Sequence, residues 1–363
     1  MTLLKITSIE VAPFEYSYSV PFQNSQNVWQ KKRGFQIRLW DQSGFYGDGE
    51  ASSLEGYSAF SHEDIDWELQ KLTVHDIPCM HIDTQMESEL FRFSAKLSIS
   101  LPCMRFAIET AMLDLVGKHT GLPISRLFEP SPCHIPLSTL LQESEDCFVL
   151  EEAQAAFQRG IRTLKYKIGK AGIWQKELRT VQLLRSSFEK TVSLRFDANQ
   201  AWTDLEAKEC LKELAVYQPE FVEEPTQAGK MLAKQAVPIA YDESLQDPSI
   251  RLHLAQSLSN GDCQVLVLKP TILGGFSECL KLAQLARNHN VGILVTHCLE
   301  GPIGLSAAAE LALALSRFQG ILPCGLDWPP LGRASPFSRP PQLSEDKICP
   351  TNLDEDKMGR VFR

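Results

Sequence analysis

The stretch VSLRFDANQAWTDLE, residues 192–206, contains one complete passage from a strand to a helix. Its first six residues form a short, mostly apolar run that ends at Asp197. The segment TDLE, residues 203–206, has the pattern of a capping box, in which a Thr and a Glu three residues later satisfy the first backbone N–H groups of a helix. The stretch therefore predicts a β-strand that ends in a carboxylate and is followed by an α-helix.

The same pattern recurs from about residue 134 to residue 327. Eight short apolar runs end in or near a polar residue: HIPLSTL (134–140), TLKYKI (163–168), VSLRFD (192–197), PEFVEE (219–224), PIAYDE (238–243), CQVLVLK (263–269), GILVTH (292–297) and GILPCGLD (320–327). Successive polar ends lie 30, 26, 19, 27 and 28 residues apart, counted over Lys167, Asp197, Glu223, Asp242, Lys269 and His297. One strand with its helix takes about this length, and eight in series close a barrel. We predict an α/β fold, a modified TIM barrel of the (β/α)7β type, over residues 126–327.

Residues 1–125 have a different pattern. Residues 4–14 and 35–40 alternate like strands, and DQSG (41–44) predicts a turn into FYGDGEAS (45–52). Apolar residues then recur at helical spacing from about Met104 until Gly121 and Pro123 end the run. We predict an α+β capping domain over residues 1–125, and a proline-rich tail, residues 328–363, that packs back on it.

The composition favours a small-molecule partner. The 363 residues carry a formal net charge of −9 and a pI near 5.5, which argues against nucleic acid and anionic membranes because phosphate requires a basic surface. No cationic leader and no run of about 20 apolar residues is present, so we expect a soluble, cytoplasmic protein, either a monomer or a homo-oligomer. The ten cysteines form no Cys-x-x-Cys pair and are expected to be reduced packing residues.

Three carboxylates end successive predicted strands. In a barrel the catalytic residues lie at the C-terminal ends of the strands, so Asp197, Glu223 and Asp242 should converge at one mouth. Three anions without a counter-charge repel one another, and a hard divalent cation held by oxygen ligands is the usual remedy. The alternative for each residue alone is a helix N-cap, but three in register favour a site for Mg²⁺, with Mn²⁺ as a substitute.

Lysines flank these carboxylates. Lys165 and Lys167 lie two apart in TLKYKIGK (163–170) and share one strand face, while Lys269 ends the apolar run CQVLVLK. A solvated strand face would show the same Lys-x-Lys spacing. Beside a metal, a lysine that is partly desolvated and near another lysine has a lowered pKa and can act as a base. The pattern favours an enzyme that abstracts a proton α to a metal-bound carboxylate. A Schiff-base aldolase also uses a barrel lysine, but it does not require carboxylates at the ends of three strands.

The chain resembles the enolase superfamily over nearly its whole length. GEASSLEGYS (49–58) resembles the family's capping loop, and the family's barrel motifs occur in order at the family's spacing: LKYKIG (164–169), RFDANQAW (195–202), FVEEP (221–225), YDES (241–244) and LKPTILGG (268–275). Enolase-superfamily sites use a Lys or His base with Mg²⁺. Lysines on the second and sixth strands are similar to those of the muconate-lactonizing-enzyme-like subgroup.

The resemblance implies roles for individual residues. Lys167 would be the base with Lys165 as its electrostatic neighbour, and Lys269 would lie on the opposite face of the substrate. The metal ligands would be Asp197, Glu223 and Asp242. Four further positions would contact a small carboxylate substrate, namely Asn199, Arg195, Thr296 and Gly325. His297 is expected to line the mouth without a catalytic role.

Within the subgroup, PCGLDW (323–328) resembles the eighth strand of the o-succinylbenzoate synthases, where a glycine meets the succinyl group. This resemblance implies dehydration of a cyclohexadiene carboxylate in menaquinone or phylloquinone biosynthesis. The alternative within the subgroup is an N-acylamino acid racemase or a dipeptide epimerase. A barrel that has lost its chemistry and serves as a binding protein is the alternative outside it.

Overall fold

The computed structural model describes residues 2–23, 28–83, 85–227, 235–327 and 345–350. Its N-terminal part contains five strands: β1 (Leu3–Leu4), β2 (Ile6–Gln23), β3 (Val28–Asp41), β4 (Tyr46–Ser52) and β5 (Met80–His81). β2, β3 and β4 form one antiparallel sheet in sequence order, while β1 pairs with β5. The predicted turn after β3 forms because the Asp41 carboxylate accepts the N–H groups of Ser43 and Phe45 at 2.8 and 3.0 Å.

The described residues of this part also form three helices, of which α3 packs most extensively on the sheet: α1 (His62–Leu69), α2 (Met86–Lys96) and α3 (Pro102–Thr120). α3 lies directly against β4, where a Cβ on Gly47 or Gly49 would come within 1.9 Å of the carbonyl oxygens of Ala111 and Ala107. The two glycines therefore permit the close approach of helix and strand. α3 ends at Gly121 with a left-handed φ of 73°, as the sequence predicts.

The second part is the barrel, and it begins with the short strand β6 (Ile135–Pro136). Seven parallel strands follow in sequence order: β7 (Thr139–Leu141), β8 (Thr163–Lys167), β9 (Ser193–Asp197), β10 (Phe221–Glu223), β11 (Ile239–Tyr241), β12 (Val265–Leu268) and β13 (Gly292–Val295). Residues 321–325 take the eighth position. They form parallel bridges to Ile293 and Thr296 on one side and to Leu137 on the other, which closes the ring.

Helices surround these strands: α4 (Asp146–Gln158), α5 (Trp174–Phe188), α6 (Asp204–Ala215), α7 (Pro248–Asn260), α8 (Pro270–Leu273), α9 (Phe276–Asn288) and α10 (Pro302–Ala314). The predicted capping box at the start of α6 is confirmed, because Thr203 and Glu206 exchange side-chain-to-backbone hydrogen bonds. In the part of the connection from β10 to β11 that the structure describes, no helix occurs. All ten cysteines are free, as predicted.

The described part of the tail corrects one prediction. β14 (Lys347–Ile348) pairs antiparallel with β6, and the Asp346 carbonyl accepts the Leu137 N–H at 2.8 Å. This segment therefore lies on the barrel, where the free edge of β6 offers backbone hydrogen bonds, and not on the capping domain. The rest of the predicted tail lies outside the described residues.

The capping domain is tied to the barrel through a buried glutamate. Glu50 of β4 accepts the N–H groups of Gly301 and Gly304 at 2.6 and 3.0 Å, which satisfies the N-terminus of α10. A carboxylate is favourable there because a helix N-terminus carries partial positive charge. Lys32 of β3 is also buried and donates to the Cys298 carbonyl at 2.9 Å. These contacts hold β3 and β4 over the C-terminal end of the barrel. Among the described residues, no helix has the length and apolar character that crossing a membrane requires.

Candidate active site

A cavity of about 400 Å³ lies at the C-terminal ends of the barrel strands, beneath the capping domain. Capping residues such as Trp29, Leu54 and Tyr57 form one side of it. Seven of the residues predicted from the sequence line its wall: Lys165, Lys167, Asp197, Asn199, Lys269, Thr296 and Gly325. The position matches the end of a barrel at which catalytic residues are found.

The strand register brings the predicted residues together. Lys167 of β8 is paired with Asp197 of β9, and Asp197 with Glu223 of β10. Because side chains alternate along a strand, Lys165 faces the same side as Lys167. The Lys165 ammonium lies 2.8 Å from Asp197 Oδ2 and donates to both Glu223 oxygens at 2.8 Å. Lys165 thus links two of the predicted metal ligands.

Three acidic side chains form the group that could hold a metal ion. Oxygens of Glu223, Asp242 and Glu243 all lie within 4.8 Å of one another. Asp197 lies beside this group, joined to Glu223 through Lys165. The structure therefore brings the three predicted ligands to one place and adds Glu243 to them.

The position of Glu243 in the acidic group does not follow from the alternation of side chains along a strand. Alternation would direct adjacent residues to opposite faces, but β11 ends at Tyr241 and a 3-10 turn starts at Glu243. The turn is fixed by Glu224, which accepts the N–H groups of Asp242 and Ser244 at 2.7 and 2.8 Å. The adjacent acidic pair in YDES was the available signal.

Lys165 contacts Asp197 and Glu223, and Lys269 contacts Asp242, but burial still disfavours the charged form of two carboxylates in the acidic group. Burial, and then the nearby Asp197 carboxylate, raise the pKa of Glu223 to about 8 and the pKa of Glu243 to about 7. Glu243 Oε2 is buried and has no hydrogen-bond partner in the described structure. Carboxylate oxygens are the ligands that Mg²⁺ prefers. The donor set fits a hard divalent cation, held by Glu223 and Asp242 with Asp197 and Glu243 beside them.

This fit predicts that Mg²⁺ stabilises the folded protein. At a concentration 100 times its Kd, a ligand of the native state raises the free energy of unfolding by about 2.7 kcal/mol. Thermal melts with Mg²⁺ should therefore shift upward for the wild type and for Glu213→Gln, which alters an exposed glutamate of α6. Glu223→Gln should lose the shift. A wild-type melting temperature that does not respond to Mg²⁺ would contradict the assignment and favour a barrel without metal chemistry.

Lys167 lies against a neutral amide and near one carboxylate. Its ammonium donates to the neutral Asn199 Oδ1 at 2.8 Å and lies 3.6 Å from Asp197 Oδ2. Burial, together with the charges of Lys165 and Lys269, lowers the pKa of Lys167, although Asp197 opposes this. Asn199 has a left-handed φ of 43°, which asparagine tolerates, and its Nδ2 donates to Glu243 at 3.1 Å.

Lys269 is placed as a permanent cation. Its ammonium contacts Asp242 Oδ2 and donates to the Tyr57 hydroxyl at 2.5 Å. Burial acts to lower the pKa of Lys269, but the charges of Asp242, Cys298 and Glu243 together hold it well above its ordinary value. The two lysines therefore differ, because the pKa of Lys167 is lowered by burial and neighbouring lysines while that of Lys269 is raised by nearby negative charges. Tyr57 carried no sequence signal beyond its place in the capping-loop motif.

An ion pair closes the wall at the end of the eighth strand. The two terminal nitrogens of the Arg159 guanidinium, Nη1 and Nη2, donate to Asp327 at 3.0 and 2.6 Å, and the Thr139 hydroxyl contacts the same carboxylate. Arg159 follows α4, and no pattern in the sequence marked it. Asp327 is thus neutralised within the cavity wall.

Thr296 and Gly325 form the adjoining wall. The Thr296 hydroxyl donates to the Gly325 carbonyl at 2.9 Å. A Cβ on Gly325 would lie 2.7 Å from that hydroxyl, so glycine keeps this part of the cavity open. Their predicted contact with the substrate stays a prediction.

His297 lines the cavity, as predicted. Its Nδ1 accepts the Leu299 N–H at 3.0 Å. Burial, and then the charge of Lys269, lower its pKa to about 4, so the ring is neutral near pH 7. The expectation that His297 has no catalytic role stays a prediction.

The structure does not bring Arg195 to the cavity. Its side chain is 1% exposed, and it donates to Glu220 at 2.6 Å and to the Pro323 carbonyl at 2.7 Å. Arg195 faces the same way as Asp197 but lies two residues nearer the start of β9, below the carboxylates. The expected substrate contact is therefore corrected to an ion pair inside the barrel.

Comparisons with known proteins bear on this geometry. Residues 149–346 match the Enolase C-terminal domain-like family. The chain is 28% identical over 336 residues to an o-succinylbenzoate synthase of Desulfotalea psychrophila, covering 84% of this chain and 89% of that protein. It is 31% identical over 227 residues to a hydrophobic dipeptide epimerase of Enterococcus faecalis, covering 60% of this chain and 62% of that protein.

A solved structure shows the same fold. The muconate lactonizing enzyme from Pseudomonas fluorescens, complexed with muconolactone, superimposes with a TM-score of 0.83 at 24% identity. The superposition covers 99% of this chain and all of the other. The agreement includes the predicted barrel and the N-terminal α+β domain.

Proposed function

The chain belongs to the Enolase C-terminal domain-like family, and from this premise we propose that it is an o-succinylbenzoate synthase of the muconate-lactonizing-enzyme-like subgroup. The reaction is the dehydration of 2-succinyl-6-hydroxy-2,4-cyclohexadiene-1-carboxylate, a step of menaquinone or phylloquinone biosynthesis. The match to the synthase of Desulfotalea psychrophila over 84% of the chain supports this choice.

The observation that carries the proposal is the ion pair between Asp327 and Arg159. A substrate with a free amine needs an unpaired carboxylate to bind its ammonium group, because a buried charge without a partner is costly. At the end of the eighth strand, both oxygens of Asp327 are already occupied by Arg159. This arrangement favours a substrate that carries carboxylates and no amine, as the synthase substrate does.

Lys167 and Lys269 would have different roles in the reaction. Lys167 would remove the α-proton, and the electrons of the broken C–H bond would first pass onto the substrate carboxylate as an enediolate and then form the new ring double bond as the C–O bond breaks. The Lys167 ammonium would then return that proton to the departing hydroxyl, which leaves as water. Lys269 would stay charged throughout and stabilise the negative charge that develops on the substrate carboxylate.

A divalent cation held by Glu223 and Asp242 would supply the remaining positive charge, which makes the α-proton of a bound carboxylate more acidic. Because dehydration makes the ring aromatic, the elimination is intrinsically easy. The protein therefore has mainly to position the substrate and polarise it.

A substrate panel tests the proposal. The purified protein, assayed with Mg²⁺, is expected to convert the cyclohexadiene carboxylate to the aromatic product. The decrease in the absorbance of the diene measures this conversion. The panel also contains N-succinylamino acids and hydrophobic dipeptides, on which slower α-proton exchange or no activity is expected. Activity on either of these groups with none on the cyclohexadiene carboxylate would overturn the proposal.

The second candidate is an N-acylamino acid racemase. The specific observation in its favour is that Lys167 and Lys269 reach the cavity from different strands, β8 and the end of β12, as a racemase with two bases requires. An N-acylated substrate has no free amine and is compatible with the paired Asp327. A dipeptide epimerase fits less well for that reason, although the relative from Enterococcus faecalis carries that name.

A further inference from the structure

A turn of the capping domain places the hydroxyl of Tyr57 between Lys269 and Asp242. The Tyr57 hydroxyl accepts a hydrogen bond from Lys269 Nζ at 2.5 Å and donates one to Asp242 Oδ2 at 3.0 Å. The Lys269 ammonium also lies 4.5 Å from the centre of the Tyr57 ring. Tyr57 is thus the capping-domain residue that touches both a proposed catalytic lysine and a proposed metal ligand.

The position of this hydroxyl is set by the packing of the capping loops. Tyr57 follows a tight turn in which its own N–H donates to the Leu54 carbonyl at 2.9 Å, while Ser58 Oγ accepts the Leu54 N–H at 2.8 Å. Leu54 packs with Trp29 and with Leu299 of the barrel. The turn is therefore held against the barrel, and the hydroxyl reaches Lys269 when this apolar contact is made.

The geometry also limits where the lysine can point. An ammonium group has three N–H donors on a flexible four-carbon stem. In the described structure Lys269 donates to two partners, Asp242 and Tyr57, and its side chain lines the cavity. With two donors engaged, the third is fixed in direction, and the lysine loses the freedom to swing.

We propose that Tyr57 is a positioning residue, which holds the Lys269 ammonium in its working orientation and so couples the seating of the capping turn, residues 54–58, to stabilisation of the negative charge that develops on the substrate. The inference rests on the proposed function only in taking Lys269 as the cation that faces the substrate. Tyr57 then acts through Lys269, in addition to forming part of the cavity wall.

The test compares Tyr57→Phe with Tyr18→Phe. Tyr18 packs on the same apolar contact, but its hydroxyl donates to the Leu299 carbonyl at 2.9 Å and does not reach Lys269. Loss of one hydrogen bond to a charged group should lower kcat of Tyr57→Phe by roughly 10- to 100-fold. The KM, and the upward shift of the melting temperature that Mg²⁺ produces, should stay close to those of the wild type. Tyr18→Phe should keep the wild-type kcat.

A second measurement does not depend on the substrate. Competitive labelling of lysines with acetic anhydride, followed by mass spectrometry, gives the reactivity of Lys269 relative to the exposed Lys170. Freed from one partner, Lys269 should react at least about threefold faster in Tyr57→Phe than in the wild type. Tyr18→Phe should leave the ratio unchanged.

The two measurements separate this inference from the proposed function. Should the wild type act on dipeptides or N-succinylamino acids instead, the synthase proposal fails, and kcat for that substrate is used for the comparison. If the labelling ratio does not change in Tyr57→Phe, or if kcat is unchanged or KM alone rises, the positioning role is wrong. An equal loss in Tyr18→Phe would also overturn it, since the effect would then come from packing.

Discussion

Replacing Lys167 by alanine is expected to lower kcat by about 100- to 10,000-fold, the range over which a positioned general acid or base contributes. Lys167 is the lysine whose pKa burial and neighbouring lysines lower, and its closest partner is the neutral Asn199 amide. In the dehydration it would both remove the α-proton and return it to the leaving hydroxyl. The variant loses both steps.

Steady-state kinetics and thermal melts check this prediction together. Lys170→Ala, which removes an exposed lysine three residues further along, is the matched control and should keep the wild-type kcat. The Lys167→Ala variant should still show an upward shift of the melting temperature with Mg²⁺, because the acidic group is intact. A kcat within about tenfold of the wild type would show that another group is the base.

Replacing Lys269 by alanine is expected to slow dehydration by about 100- to 1,000-fold, which is the usual cost of removing one group that stabilises developing negative charge. Proton removal should survive in this variant, because Lys167 remains. Substrate incubated with it in D₂O should therefore take up α-deuterium faster than it is dehydrated. Mass spectrometry of recovered substrate measures the uptake.

The same variant distinguishes a racemase. With the two enantiomers of an N-succinylamino acid in D₂O, a two-base enzyme without Lys269 should exchange the α-proton of one enantiomer and not the other. Complete loss of α-deuterium exchange with the cyclohexadiene carboxylate would mean that Lys269, and not Lys167, removes the proton. Lys281→Ala, which alters a half-exposed lysine of α9, serves as the control for the loss of a positive charge.

Much of the fold could be predicted from the sequence because it is periodic. The apolar runs of the barrel end in or near a polar residue, and helix signals follow, so Asp197, Glu223 and Lys269 could be placed at one mouth from the sequence. The capping box at Thr203 and the glycine stop at Gly121 depend on contacts within a few residues, and both are confirmed.

Predictions failed where depth or long-range packing decides the outcome. Alternation gave the correct face for Arg195 but not its level in the barrel, where Glu220 and the Pro323 carbonyl bind it. Glu243 joins the acidic group because the chain leaves the strand and turns, which alternation does not describe. Tyr57 lies 212 residues from Lys269 in the sequence, and a contact of that separation leaves no local pattern.

The cap that Glu50 provides for α10 has a consequence for the order of folding. The carboxylate and the two N–H groups that it accepts are 251 and 254 residues apart, so the contact forms only after nearly the whole barrel has been synthesised. Contacts of such separation form slowly, and domains emerge from the ribosome N-terminal first. Docking of the two parts is therefore expected as a late, rate-limiting step of refolding. During that interval the loops that will cover the active site are still open to chaperones and proteases.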